Sequence, residues 1–136
     1  MMIPIPDLKI RRVLAGGYML FILALSLKPV FHDYPPVWTR EMLHNLTHVP
    51  AYAIMALLVS VCWGHSGLLG ENTLAGTFMI CCAYGAGIEF LQGFVPGRSP
   101  SLLDVGLNTA GIIMALWVAT RYKWYAFFTE NHQKNI

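Results

Sequence analysis

Apolar residues in this chain come in blocks rather than in stripes. Four runs, at about 13–27, 49–63, 73–95 and 102–119, stay apolar around a helix's whole circumference, and charged residues or breakers such as Lys28-Pro29 divide them. A core helix of a soluble protein alternates apolar and polar turns, whereas a helix in lipid stays apolar on every side. At ~1.5 Å per residue each run reaches roughly across a ~30 Å hydrocarbon layer, the first two with help from flanking residues. Only helices satisfy all their own backbone groups in such a segment. The pattern therefore predicts one all-α domain over 1–136: a polytopic membrane protein built as a four-helix transmembrane bundle, with 120–136 as a polar cytoplasmic tail. A signal peptide competes for the first run, since Lys9-Ile-Arg-Arg12 precedes it and Ala24-x-Ser26 faintly resembles a cleavage site. The length of the run and the three spans that follow favour an uncleaved helix.

Composition supports this class. The chain is 56% hydrophobic and 12% charged, with a mean hydropathy of +0.53. A net charge of +2 offers no basic surface for nucleic acid. Cys62, Cys81 and Cys82 have no zinc or disulfide spacing and read as small apolar side chains. Lys and Arg set the orientation. Lys9, Arg11, Arg12, Arg121, Lys123 and Lys134 fall on one side and Lys28, Arg40 and Arg98 on the other. Both termini are then cytoplasmic, and the 28–48 and 96–101 loops face outward.

That orientation gathers the scattered polar residues at one end. Glu89 and Gln92 close the third run, Asp104 and Asn108 open the fourth, and His44, His48 and Tyr52 lead into the second. The i, i+3 and i, i+4 spacings put each pair on one helix face. A short loop carrying Arg98 makes runs three and four a hairpin whose polar faces can meet beneath that arginine. Small residues at Ala83/Gly87 and Gly106/Ala110 would let helices approach closely, as would Gly111. The inner halves of the runs hold nothing comparable.

Three segments, H-V-P-A-Y at 48–52, E-F-L-Q at 89–92 and P-G-R-S-P-S-L-L-D-V-G-L-N-T-A-G at 96–111, together resemble the VanZ-like family of small bacterial membrane proteins. The resemblance covers about 40–118 and is most specific from Glu89 to Gly111. It carries the family pattern onto His48, Tyr52, Glu89, Gln92, Arg98, Asp104, Asn108 and Gly111. One departure is visible. Family members commonly have an Asp-Lys pair four residues before the histidine, where this chain has His44-Asn45. The resemblance implies a location in the cell envelope and an association with resistance to the glycopeptide teicoplanin, without supplying a reaction.

Each polar residue also has a purely structural reading. Glu89 can pair with Arg98 or, protonated, bond Gln92 or Asn108; an ionisable group inside a span is otherwise a functional candidate. Ser101-Leu-Leu-Asp104 fits a capping-box variant, so Asp104 is either a cap or a site residue. Arg98 either snorkels to the interface or binds phosphate bidentately. His44 and His48 form HxxxH, but Pro50 fits best in a first helical turn, which would leave His44 ahead of the helix. No metal or cofactor is assigned, and no catalytic residue. His32, His65 and His132 read as loop or tail residues, and Tyr34, Trp38, Tyr122, Trp124 and Tyr125 as interfacial anchors. The function expected is an outward-facing polar pocket for membrane lipids, a phosphate-bearing lipid or a cell-wall precursor. An intramembrane enzyme acting on a lipid-linked substrate, or a structural partner in envelope assembly, are the alternatives.

Overall fold

The computed structural model describes residues 7–29, 38–63 and 71–121, with side chains left aside for 38–44. The expectations for His32, His44, His65 and His132 side chains, for the aromatic anchors and for the tail beyond Arg121 lie outside that range. Among the described residues the chain is all helical: α1 (Leu8–Ser26), α2 (Trp38–Ser60), α3 (Glu71–Gln92) and α4 (Leu102–Arg121).

Several helix boundaries differ from the apolar runs, three of them informatively. α1 begins five residues earlier, because Lys9, Arg11 and Arg12 are good helix formers and continue the helix past the point where hydropathy falls. α2 begins at Trp38 and carries Pro50 inside it. Residues 38–48 are thus helix rather than loop, and His44 lies within α2 rather than ahead of it. Pro50 cannot donate to the Leu46 carbonyl, yet it is exposed, so the missing bond costs little packing. α3 stops at Gln92, three residues before its apolar run does. The backbone then tightens through i→i+3 bonds from Gly93, Phe94 and Val95 to Phe90, Leu91 and Gln92. Gly97, at φ 76°, occupies the left-handed region in the link to α4.

Side-chain bonds to backbone carbonyls fix the relative directions. Arg11 Nη1 donates to Val61 O at 3.1 Å, so the start of α1 meets the end of α2. Gln92 Nε2 donates to Ser26 O at 3.1 Å, bringing the ends of α1 and α3 together. The helices alternate up and down. α4 packs most extensively against α2, which runs parallel to it, and less against α3; α1 leans on α2 and α3 only.

The burial pattern inverts that of a soluble domain. Leu102 is 91% exposed, Phe94 74% and Val13 72%, while Glu89, Asp104 and Asn108 are buried. The apolar core mixes large and small side chains, among them Tyr52, Met55, Ile112, Ala56, Cys81 and Ala115. The small residues at Ala83/Gly87 and Gly106/Ala110 do not mediate helix contact, because all four are exposed and a Cβ on Gly87 or Gly106 would meet nothing within 4 Å. Close approach occurs instead at Gly85, which the pattern did not single out, and at Gly111, as expected. A Cβ on Gly111 would collide with the Val49 carbonyl, and one on Gly85 would lie 3.0 Å from Tyr52 Cε1 and 3.3 Å from Asn108 Nδ2.

Candidate functional site

Glycine at 111 lets α2 settle backbone-deep against α4, and that contact sets His48 beside the first turns of α4. His48 Nδ1 lies 2.8 Å from Asn108 Oδ1. With the amide oxygen as acceptor, Nδ1 carries a proton and Nε2 points the other way. Nε2 stands 3.9 Å from Asp104 Oδ2, an ion pair when the ring is protonated but too long for a direct hydrogen bond. Tyr52, one turn on, stacks parallel to the imidazole with centroids 6.5 Å apart.

The start of α4 is capped from two helices. Ser101 Oγ accepts the Asp104 amide at 3.2 Å, the usual N-cap bond. In a capping box the third helical residue would return the favour by accepting the cap's own N–H. Here Glu89 does so from α3: its Oε2 accepts the Ser101 N–H at 3.0 Å. The expected box within α4 is therefore split between helices. This releases the Asp104 carboxylate to face His48, and it ties the α3–α4 hairpin across its open end.

The other predicted residues play different parts. Gln92, 2% exposed, does not complete the shell around Glu89; its amide binds the last carbonyl of α1. Arg98, half-buried at the rim, donates from Nε to Lys28 O at 3.4 Å. The two donors close the end of α1 against the α3–α4 link, helped by the favourable placement of a cation beside a helix C-terminus.

Four buried polar atoms in this cluster have no hydrogen-bond partner among the described residues: Tyr52 Oη, Glu89 Oε1, Asp104 Oδ1 and Asn108 Nδ2. The residues that carry them are 2%, 4%, 7% and 2% exposed. Buried polar atoms are nearly always paired, and each orphan costs roughly 1–3 kcal/mol. Tyr52 lies within electrostatic reach of both carboxylates. Among the described residues no three His, Cys, Asp or Glu side chains are grouped to hold a metal ion.

Gly85 and Ser101 belong to the site but carry no ionisable group, so nothing in the pattern of charges singled them out. Thr77 corrects the view that the inner halves lack buried polarity. It is fully buried in the first half of α3, with its hydroxyl unpartnered among the described residues. An open groove of about 390 Å³ between the start of α3 and the end of α4 lies at the opposite end from the polar cluster. Its lining, including Phe78, Leu116 and Trp117, is apolar apart from Thr120, so the chemistry is elsewhere.

The described residues, all helical, with α3 and α4 each long and apolar enough to cross a bilayer, have the build of a small membrane protein. The family model described as VanZ/LLP1 matches residues 10–128, and the chain belongs to that family. No curated protein and no solved structure matches it.

Proposed function

We propose that this VanZ-family protein crosses the inner membrane four times, with both termini in the cytoplasm, and holds a head-group site at its outer end. α1 and α2 join α3 and α4 as spans because they too leave large apolar side chains on their outward faces. Val13, Leu20 and Phe21 on α1 and Leu46 and Ile54 on α2 are all exposed, and a soluble domain rarely leaves so much apolar surface bare. The exposed cations Lys9, Arg12 and Arg121 then share the cytoplasmic end.

The observation that carries the site is the convergence of four orphaned polar atoms, from three helices, at the end where Arg98 guards the rim. Such atoms are retained at a cost when something binds them. A lipid-like or cell-envelope ligand with a phosphate fits: guanidinium binds phosphate well, and the acyl or prenyl part stays in the surrounding lipid. The link to teicoplanin resistance implied by the family belongs to this reading, as a consequence of binding an envelope component. Native mass spectrometry of the protein released gently from membranes tests it. The wild type is expected to carry a discrete bound mass that Arg98→Ala loses. An Arg98→Ala protein that keeps the same mass would remove the phosphate role.

A second reading, intramembrane catalysis on a lipid-linked substrate, draws on one feature. Asn108 Oδ1 accepts the Nδ1 proton and fixes the tautomer, which leaves Nε2, on the side of Asp104, as the nitrogen able to take up a proton. Turnover of a lipid-linked substrate abolished in His48→Gln, with head-group binding retained, would establish it.

A further inference from the structure

The unpartnered atoms are not all of one kind, and their chemistry narrows what the site takes. Two are carboxylate oxygens, Glu89 Oε1 and Asp104 Oδ1, which accept only. Tyr52 Oη accepts as well as donates. The fourth, Asn108 Nδ2, is an amide nitrogen that donates only. The set therefore calls for a group rich in N–H or O–H donors, joined to an acceptor oxygen. Among the described residues neither carboxylate is committed elsewhere through that oxygen: Glu89 uses Oε2 on the Ser101 N–H, and Asp104 turns Oδ2 toward His48.

We propose that the buried end of the site binds a primary ammonium group carried next to a phosphate ester, as in an ethanolamine-type head. This rests on the head-group reading above and specifies it. The three N–H donors of an ammonium match the three acceptors Glu89 Oε1, Asp104 Oδ1 and Tyr52 Oη. A hydroxyl has one donor hydrogen and cannot serve both acids. The neighbouring ester or phosphate oxygen takes the hydrogen bond offered by Asn108 Nδ2, and the rest of the phosphate lies outward toward Arg98. Charge points the same way, because two buried carboxylates repel an anion at that depth and favour a cation. Entry is from the outer end. There Pro96, Gly97, Ser99 and Pro100 are exposed, and His48 and Asp104 keep the cluster's largest exposures, 8% and 7%.

The test uses the full-length protein in phosphatidylcholine nanodiscs, whose quaternary ammonium has no N–H donor. Phosphatidylethanolamine and phosphatidylglycerol are titrated in, and bound lipid is counted by native mass spectrometry. The ethanolamine lipid is expected to bind the wild type in preference to the glycerol lipid. Glu89→Gln and Asp104→Asn should each weaken it at least about tenfold, the size of one charge-assisted hydrogen bond, and Arg98→Ala should weaken both lipids. Glu89→Gln keeps an amide oxygen for the Ser101 N–H, so the hairpin survives; Asp104→Asn is the independent second variant, and melting curves verify both. Soluble O-phosphoethanolamine that displaces the lipid would identify a free head group as the natural source, and failure to displace it would identify the membrane lipid. Equal binding of the two lipids, with the carboxamide variants unchanged and Arg98→Ala weakening both, would overturn the ammonium assignment and leave the phosphate site standing. Ethanolamine lipid held no better than phosphatidylcholine would overturn the ammonium assignment, and a wild type that retained no lipid at all, phosphatidylcholine included, would remove both readings.

Discussion

Replacing Gly111 with alanine probes the contact on which the whole site depends. A Cβ there would lie 3.0 Å from the Val49 carbonyl carbon and 3.1 Å from its Cα, with the carbonyl oxygen nearer still. Carbon atoms rest at about 3.5–4.0 Å, so α2 must retreat by roughly 0.5–1 Å. The neighbours are backbone atoms, which cannot swing aside as a side-chain tip can. Overpacking of this kind costs about 1–3 kcal/mol. The retreat also stretches the 2.8 Å bond between His48 and Asn108, taking it past the normal N–H···O range and losing about 1 kcal/mol more. Alanine regains about 1 kcal/mol over glycine in helix propensity. The net loss is about 1–3 kcal/mol. Gly87→Ala and Gly106→Ala are the matched controls, since a Cβ at either meets nothing within 4 Å, and both should be neutral or more stable by up to about 1 kcal/mol. Thermal melting in detergent, followed by helical circular dichroism, separates the three. Gly111→Ala melting at or above the wild-type temperature would refute the close α2–α4 contact and the placement of His48 built on it.

Other expectations are smaller in scope. Ser101→Ala removes the cap of α4 and should cost about 1 kcal/mol in a melting experiment, with Ser101→Asp recovering most of it. A double-mutant cycle on His48→Phe and Asn108→Leu should return a coupling of about 0.5–1.5 kcal/mol for their buried bond; additive effects would mean that the two side chains do not share it. Gln92→Leu releases the Ser26 carbonyl, so hydrogen exchange should quicken at the α1 C-terminus and remain unchanged in α4.

The four described helices were written in the chain as four apolar blocks, and the start of α4 was legible at Ser101-Leu-Leu-Asp104, where cap chemistry is local. The start of α2 was not. Thr39, Arg40, Glu41, His44 and Asn45 read as a polar loop because hydropathy measures affinity for lipid, whereas a helix can continue beyond the lipid. The polar residues could be assigned to one end by their positions alone, but their partners could not. Periodicity tells which residues share a face and leaves open which helix that face meets. In helices apolar all round, the rotation about the axis is nearly unmarked, which is why Gly87 and Gly106 looked like contact residues and Gly85 did not, while Gly111, read as a packing residue, does hold such a contact. The Glu89–Ser101 bond was hidden for a related reason: a capping box is recognised within one helix, and here its second half comes from another.

The most direct test of the central claim, a head-group site opening to the outer face, is cysteine labelling in intact cells with a membrane-impermeant maleimide. A cysteine-free background carries either Ser99→Cys, beside the polar cluster, or Asn72→Cys, at the start of α3; both positions are exposed. The account predicts that Cys at 99 labels from outside and that Cys at 72 labels only after the cells are opened. Labelling of position 72 in intact cells, with position 99 protected, would place the polar end in the cytoplasm and contradict it.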